Sequence, residues 1–133
     1  MKYAKKSFLL VLSIMILMAS AVTVHAAARW SYLITIGSNL DFSGDYAEID
    51  ITCDADANDV DKITAKCELQ QLDGSWKTVK SWSETSNGSE IMYSKSYPVY
   101  KNYSYRVKVT ASVYKDGILL EEVVDEGPYE FFQ

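Results

Sequence analysis

Two cysteines, a run of acidic side chains and an unusual number of aromatics hold most of the chemistry this 133-residue chain can offer. Cys53 and Cys67 close a loop of about 15 residues, and both fall on the apolar parity of strand-like segments. If the chain is exported, as argued below, that placement favours a disulfide, worth about 3 kcal/mol in the loop-entropy account. The bridge would join partners across a hairpin centred near Val60, or cross the core between two sheets. Two buried free thiols are the alternative. No Cys-x-x-Cys spacing exists to depress a thiol pKa, so redox chemistry is not expected.

The segment Asp54-Ala-Asp-Ala-Asn-Asp-Val-Asp61 alternates oxygen-bearing side chains in a way that suits a hard cation. Aligned with an EF-hand loop, its glycine position is Asp59 and its closing glutamate is Ala65, so the EF-hand itself is excluded. Two expectations are left. One is a less regular calcium site using Asp54, Asp56, Asn58 and Asp61. The other is a solvated acidic turn whose like charges keep sheet edges apart. No other cofactor is expected.

Three tryptophans and ten tyrosines raise the prospect of aromatic faces open to sugar rings. Trp76, Trp82, Tyr100 and Tyr114 are the candidates, with Tyr114 foremost because it lies on the wetted parity of its strand. Core packing is the competing role, since these side chains bury the most area. Catalysis has the least support. His25 is the single histidine, so serine–histidine, cysteine–histidine and the usual zinc chemistries lack a partner. A glycosidase built on two carboxylates about 5 to 9.5 Å apart is the one enzymatic reading left. Gly37, Gly44 and Gly74 stand alone, outside any phosphate-cradling loop.

Residues 1–26 read as a leader. Lys2, Lys5 and Lys6 make a basic start, Phe8 to Met18 is apolar apart from Ser13, and Val24-His25-Ala26 fits a small-x-small cleavage site. The apolar run is shorter than the roughly 20 residues a membrane span needs. Cleavage after Ala26 is expected, leaving residues 27–133 as one secreted domain with no stable membrane insertion and no histidine. The whole chain carries a net charge of −5, and losing three lysines takes it to about −8. Such a surface repels nucleic acid and anionic lipid.

The element that positions these groups is Tyr103 to Tyr114. Tyr103, Tyr105, Val107, Val109, Ala111 and Val113 share one parity; Ser104, Arg106, Lys108, Thr110 and Ser112 share the other. A strand with one dry face requires a second layer to cover it. Further strands are expected at Arg29–Ile36, from Tyr46 to Cys53, from Lys62 to Leu72, from Trp76 to Ser83, from Glu90 to Ser96 and from Ile118 to about Asp125. In the first, Trp30, Tyr32, Ile34 and Ile36 should share a side, with Leu40 and Phe42 tucked under the core edge. Turn signals separate them at Ser43-Gly44-Asp45, Asp73-Gly74, Asn87-Gly88, Asp116-Gly117 and Gly127-Pro128. Trp76, Val79 and Trp82 are spaced by three, which implies a bulge in the fourth strand. Pro98 keeps the fifth away from a sheet centre. Seven short strands and no helix after the leader predict an antiparallel sandwich, with a small barrel as the alternative.

Tyr105-Arg-Val-Lys-Val-Thr-Ala111, followed by Lys115-Asp-Gly117, resembles the penultimate strand and turn of fibronectin type III and other immunoglobulin-like domains. The resemblance implies an immunoglobulin-like sandwich in which the hydroxyl of Tyr105 closes a corner, with Tyr103 as competitor. The tryptophan expected on the second strand of a fibronectin domain is missing. The leader, the segment Leu69 to Trp82 and the Tyr-Arg-Val-Lys-Val run together resemble small exported proteins of Gram-positive bacteria. The function expected on these grounds is non-enzymatic binding of an unknown protein or a glycan. A protein partner, or another copy of the chain, would pair at an exposed sheet edge. A carbohydrate-binding module is the alternative, and a small glycosidase comes third.

Overall fold

The computed structural model describes residues 30–133, and the expected leader with its cleavage point lies outside them. Eight strands follow one another: β1 Leu33–Ser43, β2 Tyr46–Ala55, β3 Lys62–Asp73, β4 Ser75–Ser86, β5 Glu90–Pro98, β6 Tyr103–Lys115, β7 Ile118–Glu126 and β8 Glu130–Phe132. They form two antiparallel sheets ordered β1-β2-β5 and β4-β3-β6-β7, with the short β8 pairing the start of β6. Two facing antiparallel sheets make this a β-sandwich, and the barrel alternative falls away.

The core follows the alternation of the sequence. From β2, Ala47, Ile49, Ile51 and Cys53 are buried; from β3, Ile63, Ala65, Cys67 and Leu69; from β6, Tyr105, Val107, Val109, Ala111 and Val113. The expected ribbon is therefore a central strand, flanked by β3 along its length and by β7 then β8 on its other side. Asp116 (φ 50°) and Gly117 (φ 77°) both take the left-handed conformation that a tight β6–β7 hairpin demands.

The first strand departs from its expected form. It runs unbroken through Gly37-Ser38-Asn39, and its register slips between Leu33 and Thr35. That irregularity exchanges the faces, so Leu33 is buried while Ile34 is 65% exposed. Leu40 and Phe42 do reach the core, and Phe42 stacks on Phe132 of β8 at 4.5 Å. The bulge expected in β4 is present: Leu69 pairs with Lys80 and Gln70 with Thr78, leaving Val79 unopposed.

The cysteine bridge is corrected. Cys53 and Cys67 are free thiols, each fully buried. The strands that carry them are not hairpin partners but lie in opposite sheets, joined by the crossover through Val60. Packed sheets stand about 10 Å apart, whereas a disulfide needs Cα atoms within about 7 Å, so a bond between layers requires a local approach.

Two lateral closures hold the sheets together. On one side Lys95 of β5 reaches Glu84 of β4 at 2.7 Å, and Tyr97 meets Trp82 edge-on at 6.1 Å. On the other, the carboxylate of Glu121 in β7 accepts the backbone N–H groups of Ser31, Tyr32 and Leu33 at 2.7, 3.1 and 2.9 Å.

Candidate functional site

A broad concavity opens where the edges of β4 and β5 part, beside the corner that precedes β6. Its volume is about 720 Å³, within the usual range for small-molecule sites. The bulge brings Val79 to one wall, and the end of β5 with the following loop supplies Tyr97, Pro98, Val99, Tyr100 and Lys101. Tyr105 and Gln71 form the floor, and Asp45 enters from the β1–β2 turn.

Hydrogen bonds fix this lining. The hydroxyl of Tyr105 donates to the carbonyl of Tyr100 at 2.8 Å, accepts the Tyr100 N–H at 3.0 Å and accepts Gln71 Nε2 at 3.0 Å. This is the corner expected of Tyr105, closed five residues upstream; the competitor Tyr103 instead pairs opposite Phe132. Val99 N–H donates to the carbonyl of Asp45 at 2.9 Å, tying the loop to the β1–β2 turn. Tyr100 is consequently held at both backbone groups while its side chain is 78% exposed. Neither Asp45 nor Lys101 takes part in a salt bridge among the described residues.

The four aromatic candidates separate. Tyr100 lines the cleft. Trp82 stands behind its wall, half-buried against Tyr97. Trp76 lies on the outer face of the larger sheet, where the guanidinium of Arg106 covers its ring at 4.4 Å and Tyr129 tilts against it at 6.1 Å. Arg106 is itself held by Gln70 Oε1 at 2.8 Å and Glu126 at 3.2 Å, so Trp76 is part of a packed cluster. Tyr114 shares that outer face but sits ten positions along β6 from Ser104, roughly 30 Å away, with the Lys62 ammonium 4.2 Å above its ring. No single platform unites them.

The oxygens of the acidic segment go to separate partners. Asp54 bonds to the Thr35 hydroxyl, Asp56 accepts from both the backbone and side chain of Asn58, and Asp61 accepts the Asp116 N–H. Each oxygen serves a different local turn or strand. Among the described residues no group of three or more acidic, histidine or cysteine side chains could hold a metal ion. Val60 anchors this crossover by burying its side chain.

The groups whose titration the fold displaces lie away from the cleft. Burial, reinforced by the charges of Asp54 and Asp125, pushes the Cys53 thiol up to about 11. Burial and Glu68 push Cys67 up to about 12, against a smaller opposing effect of Lys95. Both thiols stay protonated near neutrality and are poor nucleophiles. Tyr93, which donates to the carbonyl of Ala65 at 2.9 Å, is raised by burial and by the ionised forms of both cysteines and Glu84. At Glu121 burial opposes ionisation, but the three backbone donors outweigh it and hold its carboxyl below the usual range.

Of the residues the sequence singled out, Tyr100 and the corner residue Tyr105 line the cleft, whereas Asp45, Gln71, Val79, Tyr97 and Lys101 were missed. The signal within reach was the density of tyrosines about Pro98, in Tyr97-Pro-Val-Tyr-Lys-Asn-Tyr103. Comparison of the chain with protein-family models, with curated proteins and with solved structures finds no match.

Proposed function

We propose that this chain is an exported, non-enzymatic interaction module that takes its ligand in the cleft between β4 and β5. The carrying observation is the lining itself: a 720 Å³ recess walled by tyrosine, proline and valine, with Asp45 as its one carboxylate. Glycoside hydrolysis by paired carboxylates needs a second such group across the bond, and the lining does not supply it. Export is supported by the basic start, short apolar run and small-x-small site of residues 1–26. The similarity of Tyr105 to Ala111 to immunoglobulin-like strands supports the same role, since many such domains work by presenting loops and edges.

The acidic surface supports a partner that is neither nucleic acid nor anionic lipid. Register places Asp41, Glu48, Asp50, Asp54 and Glu90 together on the outer face of the β1-β2-β5 sheet. Lys95 of β5 faces inward to Glu84 instead.

The test is a nuclear magnetic resonance titration of the exported protein with mixed neutral oligosaccharides and with a random peptide library. Shifts gathered at Asp45, Gln71 and Val99 to Lys101, without turnover of the added compounds, are expected. Shifts confined to other surfaces, or release of product from any substrate offered, would overturn the reading.

A further inference from the structure

Resting on the assignment of the cleft as the ligand site, we infer that its ligand is a neutral oligosaccharide, bound with a sugar ring against Tyr100. Tyr100 is presented to solvent at the cleft while the Tyr105 hydroxyl locks both its backbone groups. Fixing the backbone that carries an aromatic before binding removes part of the entropy cost of placing its ring afterwards. An open ring face carries the negative part of the aromatic quadrupole, which suits the polarised C–H groups on one side of a pyranose. Tyr97, steadied by the edge of Trp82, lines the same recess.

The remaining lining groups fit the hydroxyls of such a ligand. Asp45 offers only acceptors and Lys101 only donors, and neither is salt-bridged among the described residues. Gln71, oriented by its bond to Tyr105, adds an amide to the same lining. A sugar hydroxyl both donates and accepts, so one ligand can satisfy all three. A purely aliphatic ligand would desolvate these groups without replacing their bonds to water. A polyanion would meet a chain of net charge −5. With Asp45 as the single carboxylate in the lining, the sugar is held and not cleaved.

The experiment is calorimetric and magnetic-resonance titration of the exported protein with cellohexaose, hexa-N-acetylchitohexaose, mannohexaose and xylohexaose. At least one should bind saturably and shift the amides of Asp45 and Val99 to Lys101. Tyr100→Ala should weaken that binding about tenfold, as loss of one stacked ring implies. Asp45→Asn should weaken it less, and Tyr114→Ala should leave it unchanged. Tyr100 is exposed, so its truncation leaves the fold intact, which thermal melting checks. Absence of binding by all four sugars, or binding indifferent to both cleft variants, would overturn the assignment. A displayed peptide that binds and is lost on Tyr100→Ala would overturn the sugar while keeping the cleft as a ligand site. If no sugar and no peptide responds to Tyr100→Ala, both readings fall together.

Discussion

Tyr105 and Tyr100 are joined twice through a single oxygen, the phenolic hydroxyl donating to the carbonyl at 2.8 Å and accepting the N–H at 3.0 Å. The ring of Tyr105 is 1% exposed, so this oxygen brings a polar group into the core and at the same time satisfies the backbone of the turn before β6. It also receives Gln71. Tyr105→Phe keeps the packing and removes all three bonds, leaving the Tyr100 backbone groups and the Gln71 amide to find water. A loss of about 1–3 kcal/mol is expected. Denaturant unfolding checks it, read as a lower midpoint at an unchanged slope. Ligand binding in the cleft should weaken in the same variant, because Tyr100 is no longer held.

The thiols give a pH dependence whose sign follows from their burial. Cys53 and Cys67 have ordinary values of 9.0 in an open chain and are raised to about 11 and about 12 in the fold. The unfolded state therefore sheds these protons first. Stability from this source is complete below about pH 9 and is lost as pH climbs through 11 to 12. At about 1.4 kcal/mol per unit, the two together represent several kcal/mol. Thermal melts between pH 8 and 11 should show a fall that Cys53→Ala or Cys67→Ala flattens. In the folded protein a thiol reagent should find no reactive group at neutral pH, and in denaturant it should find two. Unfolded protein without titratable thiols would instead mean that the cysteines are bonded.

Glu121 works in the opposite direction. Its carboxylate gathers the N–H groups of Ser31, Tyr32 and Leu33, and those donors hold its carboxyl low despite burial. The clamp is complete above the ordinary glutamate range and is lost as pH falls through the lowered value. Being half exposed, the group is partly screened by solvent, and Glu121→Gln should cost only about 1 kcal/mol. The informative readout is local. Amide exchange at Ser31 to Leu33 should speed up in the variant while the centre of β6 keeps its protection.

What the sequence made legible was the part of the fold in which each strand answers to one dry face and one wet one. Tyr46 to Cys53 and Tyr103 to Val113 alternate cleanly because they run through sheet centres, and their inward sets match the buried residues. The first strand misled because its irregularity near Leu33 swaps faces, an event that leaves no mark in composition. Trp76 looked free on parity because the residue covering it, Arg106, arrives from a strand two places away in the sheet. The cleft is harder still. Asp45, Gln71, Val79 and Tyr100 come from a turn, two neighbouring strands and a loop, and only the crossover between sheets brings them together. Local periodicity carries no information about that meeting.

Gly127 marks where the chain must leave β7 and rejoin β6 as β8. Its N–H donates to the carbonyl of Val107 at 2.9 Å, so the backbone passes close over the central strand. A Cβ at this position would meet Ser38 Oγ at 3.0 Å and the Val107 carbonyl oxygen at 3.3 Å. The serine hydroxyl can rotate aside, but the carbonyl belongs to the core strand and cannot. Gly127→Ala should therefore destabilise the domain, by about 1–3 kcal/mol in line with overpacked sites. The strain should concentrate on β8, loosening Phe132 from Phe42 and thereby the far side of the Tyr105 ring, against which Phe42 packs edge-on at 5.8 Å. Ser38→Gly in the same chain relieves one of the two contacts. Partial recovery of the unfolding midpoint in that double variant, with full recovery denied by the Val107 carbonyl, would separate backbone crowding from any general effect of adding a methyl group.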